Sequence, residues 1–178
     1  MNTKYRNIVI SGDISTGKST LAHNLSRELN WEFFSGGAYF RKWHIENNVP
    51  LEDTKHVPEE VDREFEKATI EKVKNDFHVV FETQLAGWHA KDFPDVFKVF
   101  CTADYDVRMK RASLREGTTV EEEVKIYHKR YDALNAKFKK LYGVEDRFDP
   151  KYYDLIVDTT KKTPEEVLQT VLESIEDK

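Results

Sequence analysis

The chain has 178 residues, 39% of them hydrophobic and 12% aromatic, which suits one compact domain and excludes a disordered chain. Its formal net charge of −5 weighs against a duplex nucleic-acid binder, which would carry a basic surplus. A single cysteine, Cys101, excludes a disulfide framework. No apolar run approaches the roughly 20 residues of a bilayer span, and residues 1–6 lack a leader's apolar stretch, so a cytoplasmic protein without a membrane partner is expected.

The first apolar run, NIVIS at 7–11, predicts a strand, and SGDISTGKST at 11–20 follows it directly. Gly12-x4-Gly17-Lys18-Ser19 has the full Walker A spacing. Glycines allow successive amides to turn inward on phosphate oxygens, and the next helix offers its N-terminus to the same anion. Lys18 would neutralise the outer phosphates, and the Ser19 hydroxyl could ligate Mg²⁺. The nucleotide-binding set is thus Gly12, Asp13, Ile14, Ser15, Thr16, Gly17, Lys18, Ser19 and Thr20. Asp13 and Ser15 are unusual there, and their side chains are expected to point away while their amides serve.

Leu21, Leu25 and Leu29 then recur every four residues, the stripe of a one-faced helix. WEFFS (31–35), HVVFET (78–83), VFKVFC (96–101) and YDLIVDT (153–159) predict four further strands. Near-continuous apolar strands separated by helices imply a parallel sheet covered on both faces. The segment 36–75 is charged and helical with no strand, and reads as an inserted helical subdomain. Glu82 closes the third predicted strand, where a carboxylate can hold Mg²⁺ or its waters.

Arg108, Arg111 and Arg115 fall on one helical face, and Lys129-Arg130 follow on the next helix, which opens with the capping box Thr119-Val120-Glu121-Glu122 and stops at Gly143. Guanidinium groups brought over a transferring phosphoryl group would neutralise its charge, so Lys18, Arg108, Arg111, Arg115 and Arg130 are the catalytic candidates, with 104–135 as a short lid. Thr163-Pro164 opens a last helix with a Val167, Leu168, Val171, Leu172 and Ile175 face.

In this order the elements resemble the cytidylate kinase family of P-loop nucleoside monophosphate kinases, in its compact archaeal form. FSGGAYFRKW, EVDREFEKA, QLAGW, VRMKRASLREG and YYDLIVDTTKKTPEEV carry the likeness over nearly the whole chain. The resemblance implies a three-layer P-loop NTPase fold with a five-stranded parallel sheet, a single domain of 1–178, ATP and Mg²⁺ as cofactors, and a small nucleotide acceptor, CMP or dCMP. It assigns Gly37, Arg41, Arg63, Gln84 and Gly87 to the acceptor; Ser19 and Glu82 remain the metal candidates, and a monomer is expected. Three positions depart from the family pattern. Glu82-Thr83-Gln84 stands for Asp-Gly-Arg, Asn135 for a second lid arginine, and Ser15 for the loop's middle glycine. An acceptor of lower charge, such as another metabolite, a nucleoside or an RNA end, is the alternative these changes raise; a nucleotide-binding regulator with little transfer is a third.

Overall fold

The computed structural model describes residues 3–176. Five strands form one parallel sheet in the order β2-β3-β1-β4-β5: β1 Asn7–Gly12, β2 Glu32–Ser35, β3 Val79–Glu82, β4 Val96–Thr102 and β5 Leu155–Asp158. Seven α-helices accompany it among the described residues: α1 Lys18–Leu29, α2 Gly36–Glu46, α3 Glu59–Asn75, α4 Ala86–His89, α5 Tyr105–Glu116, α6 Val120–Tyr142 and α7 Pro164–Ile175. The expected α/β sheet with helices on both faces is therefore what the chain forms. The four-residue α4 was not foreseen, being too short to show a periodic stripe.

The two periods of the sequence become two layers of core. Along β1, Ile8 and Ile10 face α1 and α7, joining Leu21, Leu25, Val80, Val99, Val171 and Ile175. Val9 points the other way, with Val73 of α3, Phe81, Ala86 and Val96. Alternation of two along the strand sends neighbours to opposite faces, and the spacing of four along α1 covers one of them. Asn7, fully buried, ends the α3–β3 connection: its side-chain amide donates to the carbonyls of Val73 and Asp76, and its oxygen accepts from the Val79 amide.

In β1 both neighbours, β3 and β4, are reached by crossovers in opposite directions. A cleft outside the carboxyl ends of the strands forms at such a reversal, and the loop after β1 lies in it. Both α6 and α7 carry complete capping boxes, at Thr119–Glu122 and Thr163–Glu166. No helix among the described residues is long and apolar enough to cross a membrane.

Leu25 is fully enclosed between α1, the sheet and α7. Leu25→Ala is expected to lower stability by about 2–5 kcal/mol. Urea unfolding should show this as a lower midpoint at an unchanged slope.

Candidate active site

The loop between β1 and α1 wraps around its own backbone. The Asp13 carbonyl accepts from the Thr16 hydroxyl at 2.9 Å, from the Thr16 amide at 3.4 Å and from Lys18 Nζ at 3.4 Å. Gly17 caps α1 with φ +83°, a left-handed conformation open to glycine. Ser15 stands at φ +60°, where the missing middle glycine would cost nothing and serine costs roughly 1–2 kcal/mol. Strain of this kind is characteristic of a functional loop.

Of the two side chains expected to point away from the cradle, one does and one does not. The Ser15 hydroxyl does not point away: it lines the cleft, buried and without a hydrogen-bond partner among the described residues. Asp13 does turn from the cradle, but its carboxylate is fully engaged. Oδ1 accepts from the Ile14 amide at 2.8 Å, and Oδ2 accepts from Arg108 at 2.7 Å and from the Tyr127 hydroxyl at 2.6 Å.

Opposite the loop, Glu82 ends β3 almost completely buried. One oxygen lies 3.5 Å from Lys18 Nζ and the other accepts a 2.6 Å hydrogen bond from Ser35 Oγ. Ser35 also caps α2 by accepting from the Ala38 amide. One serine thus joins the buried acid to the start of the inserted helices.

In front of Lys18 and Ser19 opens a cleft of about 160 Å³, walled by α2 and α3 on one side and by α5 and α6 on the other. Arg41, Arg115 and Arg130 reach into it from three different helices. Burial, and then the charges of Arg115 and Arg41, lower the Arg130 pKa from its ordinary value. Glu116 is the near carboxylate, 2.7 Å from Arg115 and 4.0 Å from Arg41. Farther in lie the rings of Phe40, Phe65 and Phe138, with Asp62 accepting from Lys137 at 2.6 Å. Burial raises the Asp62 carboxyl above its usual range even with Lys137 beside it.

Five buried polar atoms in the cleft wall lack a hydrogen-bond partner among the described residues, Ser15 Oγ, Thr54 Oγ1, Thr83 Oγ1, Gln84 Oε1 and Arg130 Nε, while Glu66 Oε2 meets His89 Nε2 at 2.8 Å. Buried polar groups are rarely left so, and their convergence here marks a surface shaped for a polar ligand.

The structure gathers Ile14, Ser15, Lys18, Ser19, Gly37, Arg41, Glu82, Gln84, Arg115 and Arg130 around this cleft. Gly12, Asp13, Thr16, Gly17 and Thr20 of the loop do not line it, and four of the expected acceptor and lid residues stand elsewhere. Arg63 borders a separate shallow groove with Lys74, Trp88 and Tyr142, because the 100° step of α3 that buries Asp62 turns its successor away. Gly87 is pressed against Tyr153, whose ring atoms would lie 2.3 Å from an added Cβ, so a packing constraint explains this glycine. Arg108 is committed to Asp13, its guanidinium over the rings of Tyr105 and Tyr127. Arg111 donates to the hydroxyl and carbonyl of Thr159, whose hydroxyl in turn donates to the Thr16 carbonyl. Asn135 accepts from Arg147, a guanidinium returning from the α6–β5 connection into a cage of Tyr131, Phe138 and Phe148.

Sequence reasoning missed Ser35, Thr54, Glu66, Tyr127 and Lys137. Glu66 and Lys137 interrupt otherwise apolar helix faces, a faint signal, whereas Ser35 at a strand end and Thr54 in a short turn gave none.

A glycine-looped parallel sheet with this cleft defines a P-loop kinase fold. An AAA domain model matches residues 8–132. The gluconokinase from Sinorhizobium meliloti shares the architecture, with a TM-score of 0.61 at 16% identity over 98% of this chain and 93% of that one. Sequence relatives narrow the class. The cytidylate kinase of Ignicoccus hospitalis is 35% identical over 167 residues, covering 92% of this chain and 95% of its own length. That of Haloarcula marismortui is 34% identical over 172 residues, covering 95% and 88%. The chain belongs to the cytidylate kinase family.

Arg130 is enclosed beside Arg115 and Arg41 with no acid paired to it directly, and this crowding costs stability that a polyanion restores. Arg130→Met is expected to stabilise the ligand-free protein by on the order of 1 kcal/mol, a rise of about 2–4 °C in melting temperature. Thermal unfolding with and without ADP should show that gain together with a smaller ADP-induced shift.

Proposed function

We propose that the protein transfers the γ-phosphoryl group of ATP to a pyrimidine nucleoside monophosphate, CMP or dCMP, giving ADP and the nucleoside diphosphate. The observation that carries this reading is one cleft in which a phosphate loop and an aromatic, polar compartment meet at a junction of Lys18, Arg41, Arg115 and Arg130. Two phosphate chains brought together there would place up to several negative charges among these cations. The family relationship to cytidylate kinases supports the same acceptor.

In this reading the loop amides and Lys18 hold the donor's outer phosphates. Arg41, in the second turn of α2, holds the acceptor phosphate, and Arg115 and Arg130 neutralise the phosphoryl group as it passes between them. Positioning and charge stabilisation are the chain's main contribution, since the in-line displacement needs little covalent help. Arg111 beside Thr159, on the outer flank of the loop, fits the donor's nucleoside end better than the transfer centre. The helices of 36–75 form the acceptor subdomain and 104–135 the lid. Thr54, Asp62, Glu66 and Gln84 furnish polar partners for the acceptor's base and sugar.

The oxygen-rich pair Ser19 and Glu82 fits Mg²⁺, which keeps most of its waters and shares nucleotide phosphates, so that few protein ligands suffice. Among the described residues no cluster of three or more acidic, His or Cys side chains forms a cage of its own, which suits a metal carried in with the nucleotide. Bound there, Mg²⁺ would supply charge neutralisation at the phosphate oxygens. Ser35 holds Glu82 in place through its 2.6 Å hydrogen bond.

ADP release from ATP–Mg²⁺ with a panel of nucleosides and monophosphates tests the assignment. Turnover should depend on CMP or dCMP, and ADP release indifferent to every acceptor would defeat it. Lys18→Ala should lower kcat by at least on the order of 10²–10³-fold. Glu82→Gln should depress turnover far more than ATP binding, with an unchanged rate moving the metal role to another acid. Gln84→Arg should alter the KM for the acceptor and leave that for ATP.

A further inference from the structure

The acid inside the phosphate loop has no role in the transfer just described, yet its carboxylate is the best-satisfied polar group near the site. Asp13 accepts one hydrogen bond from its own loop, one from α5 through Arg108 and one from α6 through Tyr127. Its side chain and that of Arg108 are about nine-tenths buried. The contact is reinforced by apolar packing of Ile14 against Met109 of α5 and Tyr127 of α6, with Val124 and Tyr131 beside them. Loop and both helices therefore meet at a single point.

The same two helices carry the cleft guanidinium groups. Arg115 lies seven residues, or about two turns, beyond Arg108, and Arg130 lies three residues, under one turn, beyond Tyr127. A helix transmits a displacement at one end to the other because its hydrogen-bonded backbone is stiff. We infer that Asp13 is a positioning residue for phosphoryl transfer: through Arg108 and Tyr127 it fixes α5 and α6 on the phosphate loop, and so sets where Arg115 and Arg130 stand in the cleft. This rests on the kinase reading of the cleft.

The pair has a second consequence. A carboxylate in a phosphate loop opposes the donor's charge, and Arg108 cancels it. Arg108 burial works against its charge, but the Tyr127 hydroxyl and Asp13 outweigh this and raise its pKa, so it stays protonated. Tyr127, pushed up to about 12 by burial and by Asp13, stays a donor. Both donors of the clamp therefore keep their protons across the neutral range.

Asp13→Asn, Arg108→Met and the double variant, measured for kcat, for KM of each substrate and for thermal unfolding, test the inference. Asp13→Asn should lower kcat about 10-fold or more and change the KM for ATP by less than 2-fold. Arg108→Met should lower kcat similarly and raise the KM for ATP about 5-fold, because Asp13 is left uncompensated beside the phosphates. The double variant should match the worse single variant in kcat and recover the ATP KM. A wild-type kcat in Asp13→Asn overturns the inference. So do losses that multiply in the double variant without recovery of ATP affinity, since Arg108 would then act on the donor directly. If Asp13→Asn does not fold, Tyr127→Phe carries the test, with kcat lowered about 3-fold expected and unaltered turnover overturning it.

Hydrogen exchange separates failure here from failure of the kinase reading. Whether or not the wild type transfers phosphate to CMP, Asp13→Asn, or Tyr127→Phe in its place, should speed amide exchange at 114–121, the turn between the two helices. Exchange unchanged from the wild type overturns the clamp, while clamp-dependent exchange in a protein that fails to phosphorylate any nucleotide overturns only the substrate.

Discussion

Mutual repulsion among Lys18, Arg41, Arg115 and Arg130 is the constraint around which the rest of the structure is arranged. Four cations share a cleft of about 160 Å³, where Glu82 answers Lys18, Glu116 lies beside Arg115 and Arg41, and Arg130 has no acid paired to it directly. The helices that carry the arginines must then be held together by contacts outside the centre. Three ion pairs link α6 to the inserted segment, Lys129–Asp53, Lys137–Asp62 and Lys140–Glu59. Lys129 and Lys140 are half or more exposed, so water screens their pairs and they add little. Lys137 and Asp62 are largely enclosed, and Lys137 also donates to the carbonyls of Thr54 and Val57. That pair, together with Asp13 and Arg108 across the cleft, anchors both ends of the repelling group.

The division of labour among the layers follows. The apolar core on either side of β1 holds the strand ends in register without reference to any ligand. Polar groups are spent at the carboxyl ends, where Ser35, Glu82 and Thr83 face inward from β2 and β3. Unpartnered atoms there are a stability cost that an ordinary core would not tolerate. Arg147 is enclosed differently: its guanidinium lodges among three aromatic rings and one nitrogen donates to Asn135, while Nε and Nη2 have no partner among the described residues. Burial lowers its pKa, but ring faces compensate part of that loss.

Much of this was legible in the chain. Strand and helix periods predicted the sheet, because the two faces of β1 and the stripe on α1 are each written in consecutive residues. Walker spacing located Lys18 and Ser19, since a phosphate cradle is a local backbone feature. What escaped depends on which side of a helix meets which neighbour. Asp62 and Arg63 are adjacent in sequence, yet one enters the cleft and the other a separate groove. Arg108, Arg111 and Arg115 share a face, yet Asp13 and Thr159 claim the first two. Such pairings span 48 to 95 residues, and no periodicity records them. Asp13 itself looked like a tolerated oddity because its partners lie on helices that only the fold brings near.

The first glycine of the loop shows how narrow the tolerances are. A Cβ on Gly12 would sit 2.5 Å from the Thr16 hydroxyl oxygen and 2.7 Å from the Cys101 carbonyl of β4. Neither neighbour has room to retreat: Thr16 is tied to Asp13, and Cys101 is an interior strand residue paired with β1 and β5. The loop therefore starts from a point fitted closely to the sheet, with no room for a side chain. Position errors cannot accumulate between the sheet and the phosphate cradle, and whatever moves during turnover must do so relative to this fixed origin.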